Sequence, residues 1–372
     1  MKILVVAHNL VRGDGQGRIN LEMVRHFLSK GHAVTMLSKT AQPELVEAGA
    51  KWVDIKVPVR KPNLINGILF ARKADRFIKQ TAGQFDAIVG NGYSQTLPHH
   101  VNDCQFVHGA WIHSPVHVAK LSRGPKSWYQ WLYTTHNAKA EKRAYRAAKF
   151  VVAPSQKIRS ELMSIGVPDE KIRVIYNGVD LNEFHPGTES RAELGLPAAS
   201  PLALFVGDIR SPRKNLDSVL KAMVNVPSLH LAVGGAPDGS PFPEMARRLG
   251  LSDRVTFLGF RKDIGKVMRA VDFFIFPSRY EAGTLVLIEA LASGLPAVTA
   301  RTAGGCEIMN EQAGRIIEDP DDVPALTAAI THFASSESAR RAASIEARRI
   351  AEQYSWTTMG QAYLDLVEES RR

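Results

Sequence analysis

Only two of the 372 residues are cysteine, Cys104 and Cys306, one in each half of the chain and neither in a metal-ligand cluster. A disulfide-rich scaffold and a cysteine zinc site are thereby excluded, and a reduced, cytoplasmic protein is expected. Long apolar runs are also missing, since none reaches the roughly 18 residues that would span a bilayer. The amino terminus runs directly into Lys2–Val6, which reads as a strand rather than a signal peptide. No known nucleic-acid-binding motif is present. Carboxylates with Asp-x-Asp spacing occur once, as Asp319 and Asp321 followed by Asp322, in a polar stretch where helix caps are the default reading. No metal site and no cofactor are expected.

What the chain has is length and an uneven charge. It is long enough for two domains, each with its own core. Residues 1–185 carry 26 Lys and Arg against 14 Asp and Glu, whereas residues 186–372 carry 21 against 23. The whole excess of +10 therefore originates in the first half. A solvated basic face would produce it, and so would an anionic partner such as a phosphorylated substrate, a membrane surface or nucleic acid.

Both halves open alike, with an apolar strand, a glycine-bearing loop and a helix. Residues 3–7 lead to a helix over 20–30, and residues 202–206 lead to a helix over 216–224. Continuous apolar strands alternating with amphipathic helices predict α/β domains with parallel sheets covered on both faces. The boundary falls in the Gly-, Pro- and polar-rich stretch 177–197. This gives domains 1–180 and 181–354, with a last helix in 355–372 returning to the first. A dinucleotide-binding oxidoreductase shares this class of fold. However, Gly13, Gly15 and Gly17 lack the Gly-x-Gly-x-x-Gly spacing, and no acid follows the second strand at Ser38 and Lys39.

The most informative stretch is 276–296. It reads as a strand end, a loop carrying Glu281, and an apolar helix (284–293) carrying Glu289, which stops at Gly294. The helix start supplies N–H groups for an anion, with a carboxylate on either side to accept hydroxyl hydrogen bonds. That combination suits a nucleotide-sugar, although two glutamates so spaced also occur on ordinary surface helices. A second cluster lies in 207–215, where Arg210, Arg213 and Lys214 follow Gly207 at the end of an expected parallel strand. Such cations suit a diphosphate, and a solvated turn is the plain alternative.

With these motifs the chain resembles the retaining GT-B glycosyltransferases of family 4. The motifs are Glu281 and Glu289 with seven residues between them, Lys214 after Gly207, and Asn177-Gly178 with Asp180, Phe184 and Pro186. Val255–Phe260 and Ala303-Gly304-Gly305 with Glu307 complete the set. The resemblance covers nearly the whole chain. It implies two doubly wound Rossmann-like domains facing a central cleft, with a nucleotide-sugar donor bound by the second and a glycan or lipid-linked acceptor by the first. It also implies that Glu289 binds the ribose, that Glu281 binds the transferred sugar, and that Lys214 and Arg210 neutralise the diphosphate. Backbone near Phe260 and Arg261 would cradle the base. Gly207, Gly283, Thr284 and Leu285 would line the donor site, and Gly15, Gly17 and Arg18 would meet phosphate or acceptor. His108 would be the active-site histidine beside the sugar.

The sequence departs from the family pattern at Ala282-Gly283-Thr284, where Gly-Phe-Gly is usual, and at Asp208, where Arg is usual. It departs again at Gly15-Gln16-Gly17-Arg18 in place of a glycine pair. These changes bear on donor identity rather than reaction type.

Two segments bear on the acceptor. Lys56, Arg60, Lys61, Arg72, Lys73, Arg76 and Lys79 are interleaved with Leu64, Ile65, Ile68, Leu69, Phe70 and Phe77. Trp128, Tyr129, Trp131 and Tyr133 lie between Lys126 and the cations 139–149. Each segment reads either as a core-facing stripe with a solvated basic back or as a peripheral contact with an anionic membrane. Two further activities share the architecture, a sugar-nucleotide epimerase and a phosphorylase, and no pattern marks the pyridoxal-phosphate lysine that the latter needs. Nucleic-acid binding by the basic half would leave Glu281 and Glu289 without a role.

Overall fold

Residues 1–58 and 61–372 are described by the computed structural model, so Arg60 of the basic segment lies outside the described residues. The chain divides into unit 1, Met1–Gly178 with Trp356–Arg372, and unit 2, Val179–Ser355.

Unit 1 contains β1 (Lys2–Val6), β2 (Asn9–Leu10), β3 (Ala33–Ser38), β4 (Thr40–Ala41), β5 (Lys51–Asp54), β6 (Ala87–Asn91), β7 (His99–Asp103), β8 (Ala148–Ala153) and β9 (Ile172–Val174). Seven of them form one parallel sheet in the order β5-β3-β1-β6-β7-β8-β9, while β2 and β4 pair separately. The apolar run of β1 is explained by burial on both faces. Ile3 and Val5 point into a cluster with Met23 and Phe27 of the helix Gly15–Ser29. Leu4 and Val6 point the other way, onto Phe70, Ala74 and Ile78 of the helix Asn63–Gln80. The final helix, Trp356–Ser370, adds Met359, Tyr363, Leu364, Leu366 and Val367 to the first cluster. Gly360 permits that approach, because a Cβ there would run into the His26 ring.

Unit 2 contains β10 (Leu202–Val206), β11 (His230–Gly234), β12 (Val255–Gly259), β13 (Phe273–Phe276), β14 (Ala297–Ala300) and β15 (Gly314–Ile317). They form one parallel sheet in the order β12-β11-β10-β13-β14-β15. Every residue of β13 is buried, among them Phe274 and Phe276 with ring centroids 5.9 Å apart.

In each sheet the strand order reverses beside the first strand, between β1 and β6 and between β10 and β13. Open parallel sheets bind ligands outside the carboxyl ends of the strands at such a reversal. The loops 207–215 and 277–284 leave β10 and β13 at that point. In unit 1 the matching loops begin at Ala7 and Gly92.

Several elements differ from expectation. The first long helix begins at Gly15 instead of Asn20, so Gly15, Gly17 and Arg18 are its first turn and not a loop. Asp14, extended, precedes it, and Gly17 packs closely, a Cβ there coming within 3.0 Å of the Val11 carbonyl oxygen. The helix Asn63–Gln80 turns Phe70, Ala71, Ala74 and Ile78 into the core. Of the apolar residues interleaved with the cations, Phe70 is buried and Phe77 packs against the same cluster, Leu64, Ile68 and Leu69 are partly buried, and Ile65 stays 45% exposed. The aromatic stretch divides, with Tyr129 and Tyr133 partly buried and Tyr133 beside the His108 ring at 5.8 Å, and the two tryptophans facing outward. On the helix Pro125–Ala147, Trp128 is 65% and Trp131 47% exposed. Among the described residues no helix is long and apolar enough to cross a membrane.

Candidate functional site

In unit 2 a short 3-10 turn, Pro212–Lys214, ends at Asn215, which takes a left-handed conformation at φ 68°. Asparagine tolerates that region better than most residues. Its buried amide donates to the carbonyls of Pro277 at 2.9 Å and Pro320 at 2.6 Å, joining three loops. The turn aims two cations at one carboxylate. Lys214 Nζ lies 2.6 Å and Arg213 Nη1 3.0 Å from Glu281 Oε1, and the Ser278 hydroxyl donates to the same oxygen at 3.2 Å. Lys214 also stands 5.0 Å from the centre of the Phe276 ring. Burial pulls the Lys214 ammonium below its usual range, and the Glu281 carboxylate only partly offsets this. One carboxylate thus faces two cations, an arrangement with charge to spare for a second anion.

Gly207 lies closely beneath this cluster, where a Cβ would come within 3.1 Å of the Lys214 stem. Behind it Arg279 ties the loops together. Its guanidinium donates to Asp217 at 2.7 and 2.8 Å, to Asp321 at 2.8 Å and to the Pro212 carbonyl at 2.6 Å. Asp322 caps the helix Val323–Ser335 through the Ala325 N–H at 2.9 Å. Asp319 receives the Asp321 N–H at 2.9 Å. The Asp-x-Asp spacing therefore reflects loop structure, and among the described residues no group of three or more His, Cys, Asp or Glu is arranged for a metal.

Glu281 is held from the other side by Gly304, whose N–H donates to the Glu281 carbonyl at 3.2 Å. A Cβ on Gly304 would strike the Ala282 carbonyl, so only glycine allows this approach. The N–H and the hydroxyl of Thr284 both donate to the Gly304 carbonyl at 2.9 Å, which orients the start of the helix Leu285–Ala292 without a side-chain cap on it. Gly283 and Leu285 are partly exposed there, and Glu289 sits partly buried on the same helix.

Three predicted residues stand apart from this cluster. Arg210, expected to reach the diphosphate position, is 60% exposed and forks onto Asp208 at 2.8 and 3.1 Å; Arg213 takes the place beside Lys214. Arg261 pairs with Asp263 at 2.8 and 2.7 Å, and the Phe260 side chain is 76% exposed.

In unit 1 the reversal point opens into a cavity of about 330 Å³ lined by residues following β1, by the end of β6 and its following loop, by the first turns of the helix Asn63–Gln80, and by His108. His108 begins the short helix His108–Trp111. Its Nδ1 lies 2.6 Å from Glu141 Oε1, while Glu141 Oε2 accepts the His108 backbone N–H at 2.9 Å. Nε2 lies 3.2 Å from the Asn137 amide. The buried Glu141 thus fixes both backbone and ring, and places the Nδ1 proton. Sequence reasoning missed Glu141, 33 residues downstream, as well as Asn137 and Asn215. Arg18 donates to Glu22 at 2.6 Å and lies 5.5 Å from the centre of the Trp356 ring, so its guanidinium is already engaged.

Residues 187–350 match the family Glycosyl transferases group 1, and residues 13–183 match Glycosyltransferase Family 4. The chain belongs to the group 1, family 4 glycosyltransferases. Curated relatives of the family include a D-inositol 3-phosphate glycosyltransferase of Mycobacterium marinum, 34% identical over 217 residues covering 55% of this chain and 46% of the relative. One of the same description from Mycobacterium tuberculosis is 36% identical over 168 residues, 42% of this chain and 35% of the relative. The match thus spans half or less of these relatives' length. Among solved structures, WaaG, a glycosyltransferase involved in lipopolysaccharide biosynthesis, superposes with a TM-score of 0.77 at 18% identity, covering 99% of each chain. The Anabaena protein Alr3699/HepE in complex with UDP and glucose gives 0.73 at 21% identity, covering 99% and 100%. At such identity these two likenesses show the fold, which is GT-B, with two parallel-sheet α/β domains.

Proposed function

We propose that this protein transfers a hexosyl unit from a UDP- or GDP-linked sugar to a hydroxyl of a glycan or lipid-linked acceptor, with retention of configuration, in cell-surface polysaccharide or lipopolysaccharide synthesis. The observation that carries the donor half is the cluster of Arg213, Lys214 and Glu281 at the sheet reversal of unit 2. A diphosphate arriving there would supply the anion that the half-compensated Lys214 lacks. The N–H groups at the start of the helix Leu285–Ala292 would meet the remaining phosphate oxygens beside Gly283, while Thr284, whose N–H and hydroxyl both go to Gly304, would orient that start. Glu289 would receive the ribose hydroxyls and Glu281 those of the sugar. Lys214 and Arg213, in place of the expected Arg210, would stabilise the leaving diphosphate, so that no metal is required.

On this reading the leaving phosphate takes the acceptor proton on the face from which it departs, and the anomeric configuration is kept. His108, held by Glu141, would sit beside the sugar and donate or accept a hydrogen bond there. Family membership supports the reaction class, and a relative described as a D-inositol 3-phosphate glycosyltransferase supports a hydroxyl acceptor. The exposed Leu121, Trp128 and Trp131, flanked by Lys120, Arg123 and Lys126, would give peripheral contact with the anionic inner face of the cytoplasmic membrane.

The test is release of nucleoside diphosphate from UDP- and GDP-sugars, with the product's anomeric configuration read by NMR. Lys214→Ala or Glu289→Ala is expected to lose about 100-fold or more in kcat, the usual scale for such contacts. Inversion at the anomeric carbon, or turnover within a few fold in both variants, contradicts the reading. Full rate in chelator is required for the metal-free mechanism. Sedimentation with anionic but not neutral vesicles is expected, and equal sedimentation contradicts the membrane contact.

A further inference from the structure

The cavity of unit 1 has a lining of unusual chemistry. Six carboxamides border it, Asn9, Gln16, Asn63, Asn66, Asn91 and Gln105. A carboxamide offers both a donor and an acceptor, as a sugar hydroxyl does, and carries no charge. The charged groups on the wall are few. Glu141 is committed to His108. That leaves Lys39, partly buried at the end of β3, whose Nζ donates to Asn66 Oδ1 at 3.1 Å and lies 5.8 Å from the Phe70 ring centre. Among the described residues no carboxylate pairs with Lys39. Burial draws its ammonium below the usual range. The neighbouring His8 is kept neutral, its pKa lowered to about 3 by burial and then by Lys39, and its Nδ1 has no hydrogen-bond partner. A partly desolvated cation without a counter-charge, in a wall of hydroxyl-binding groups, calls for one anion.

The lining is also fixed in advance. The buried Asp103 carboxylate accepts from Asn91 at 2.7 Å, Gln105 at 2.8 Å and the Tyr363 hydroxyl at 2.6 Å. Asn91 in turn accepts from Gln16 at 2.6 Å. Gln16 and Gln105 each give an N–H to this network, which sets their orientation before any ligand arrives.

We propose that the unit 1 cavity binds a hydroxyl-rich ligand bearing a single anionic group, with the anion against Lys39 and the hydroxyls among the carboxamides. This deepens the acceptor half of the proposed function and names its chemical class, a phosphorylated or carboxylated sugar or polyol. A diphosphate would find one lysine on this wall, Lys39.

The experiment is calorimetry with glucose, glucose 6-phosphate, glucuronate and inorganic phosphate, on the wild type, Lys39→Met and Lys39→Arg, with UDP as a control for unit 2. The expected result is that glucose 6-phosphate or glucuronate binds about tenfold or more tightly than glucose and than inorganic phosphate. Lys39→Met removes that margin, Lys39→Arg keeps part of it, and UDP binding is the same in all three. Four results overturn the proposal: equal binding of glucose and its anionic forms, inorganic phosphate binding as well as the sugar phosphate, a margin that survives in Lys39→Met, or no binding by any of the four. UDP binding and nucleotide release separate this failure from failure of the glycosyl-transfer reading, which would leave a Lys39-dependent sugar phosphate site without donor turnover.

Discussion

Lys214 is charged in a place that disfavours its charge. Its folded-state pKa lies below the ordinary 10.5 because burial outweighs the attraction of Glu281. Between that lowered value and 10.5 the unfolded chain binds the proton more than the folded one does, so stability rises with pH across this window. Lys214→Met should flatten the rise, as read by chemical denaturation at alkaline pH; an unchanged slope would place the titration elsewhere. Nucleoside diphosphate affinity should fall over the same window, as the ammonium that meets the phosphate is lost.

At this scale the site was half legible. The sequence showed Arg210, Arg213 and Lys214 together, but a 3-10 turn ending at left-handed Asn215 decides that the second and third face Glu281 while the first pairs with Asp208. His108 could be singled out, whereas its partner Glu141 could not, because a carboxylate on a helix of mixed polarity gives no sign of what it faces 33 residues away.

Among the elements, the loops leaving β10 and β13 depend on Arg279. It is 11% exposed and holds Asp217, Asp321 and the Pro212 carbonyl at once. Removing it leaves Asp217, itself 19% exposed, with the more distant Lys221 at 3.9 Å, so Arg279→Met should destabilise unit 2 by about 2–4 kcal/mol. Arg279→Lys should recover only part of this, since one ammonium cannot fork onto two carboxylates. A melting temperature for Arg279→Met within a degree or so of wild type would contradict this. The strands with apolar runs, β1, β10 and β13, were plain in the sequence because burial on both faces demands such runs. β7 was not. It lies inside its sheet yet reads His99-His100-Val101-Asn102-Asp103, its buried His99, Asp103 and Asn102 amide nitrogen being engaged in hydrogen bonds that hydropathy does not register. The early start of the helix Gly15–Ser29 was hidden by its two glycines, which signal a loop locally, although Gly17 here packs closely against Val11.

Over the whole molecule, the two-unit organisation follows from the strand–helix alternation repeated in both halves, and the last seventeen residues, Trp356–Arg372, belong to the first unit. Deleting them uncovers the apolar face of the helix Gly15–Ser29 and strips Tyr363 from Asp103. A chain ending at Ser355 should aggregate or lose the cooperative melting of unit 1, seen by calorimetry. Tyr363→Phe should keep the fold while loosening Gln105 and Asn91. Retention of the full unit 1 transition in the shortened chain would contradict the packing role assigned to this helix.

The central claim is that Arg213, Lys214 and Glu281 receive the diphosphate of a nucleotide-sugar. Its most direct test is thermal unfolding of the wild type and Lys214→Met with UDP, GDP and ADP. At 100 times its dissociation constant, the preferred nucleotide should stabilise the wild type by about 2.7 kcal/mol, and Lys214→Met should lose most of that gain at the same concentration. No stabilisation by any of the three nucleotides, or an equal gain in the variant, would contradict it.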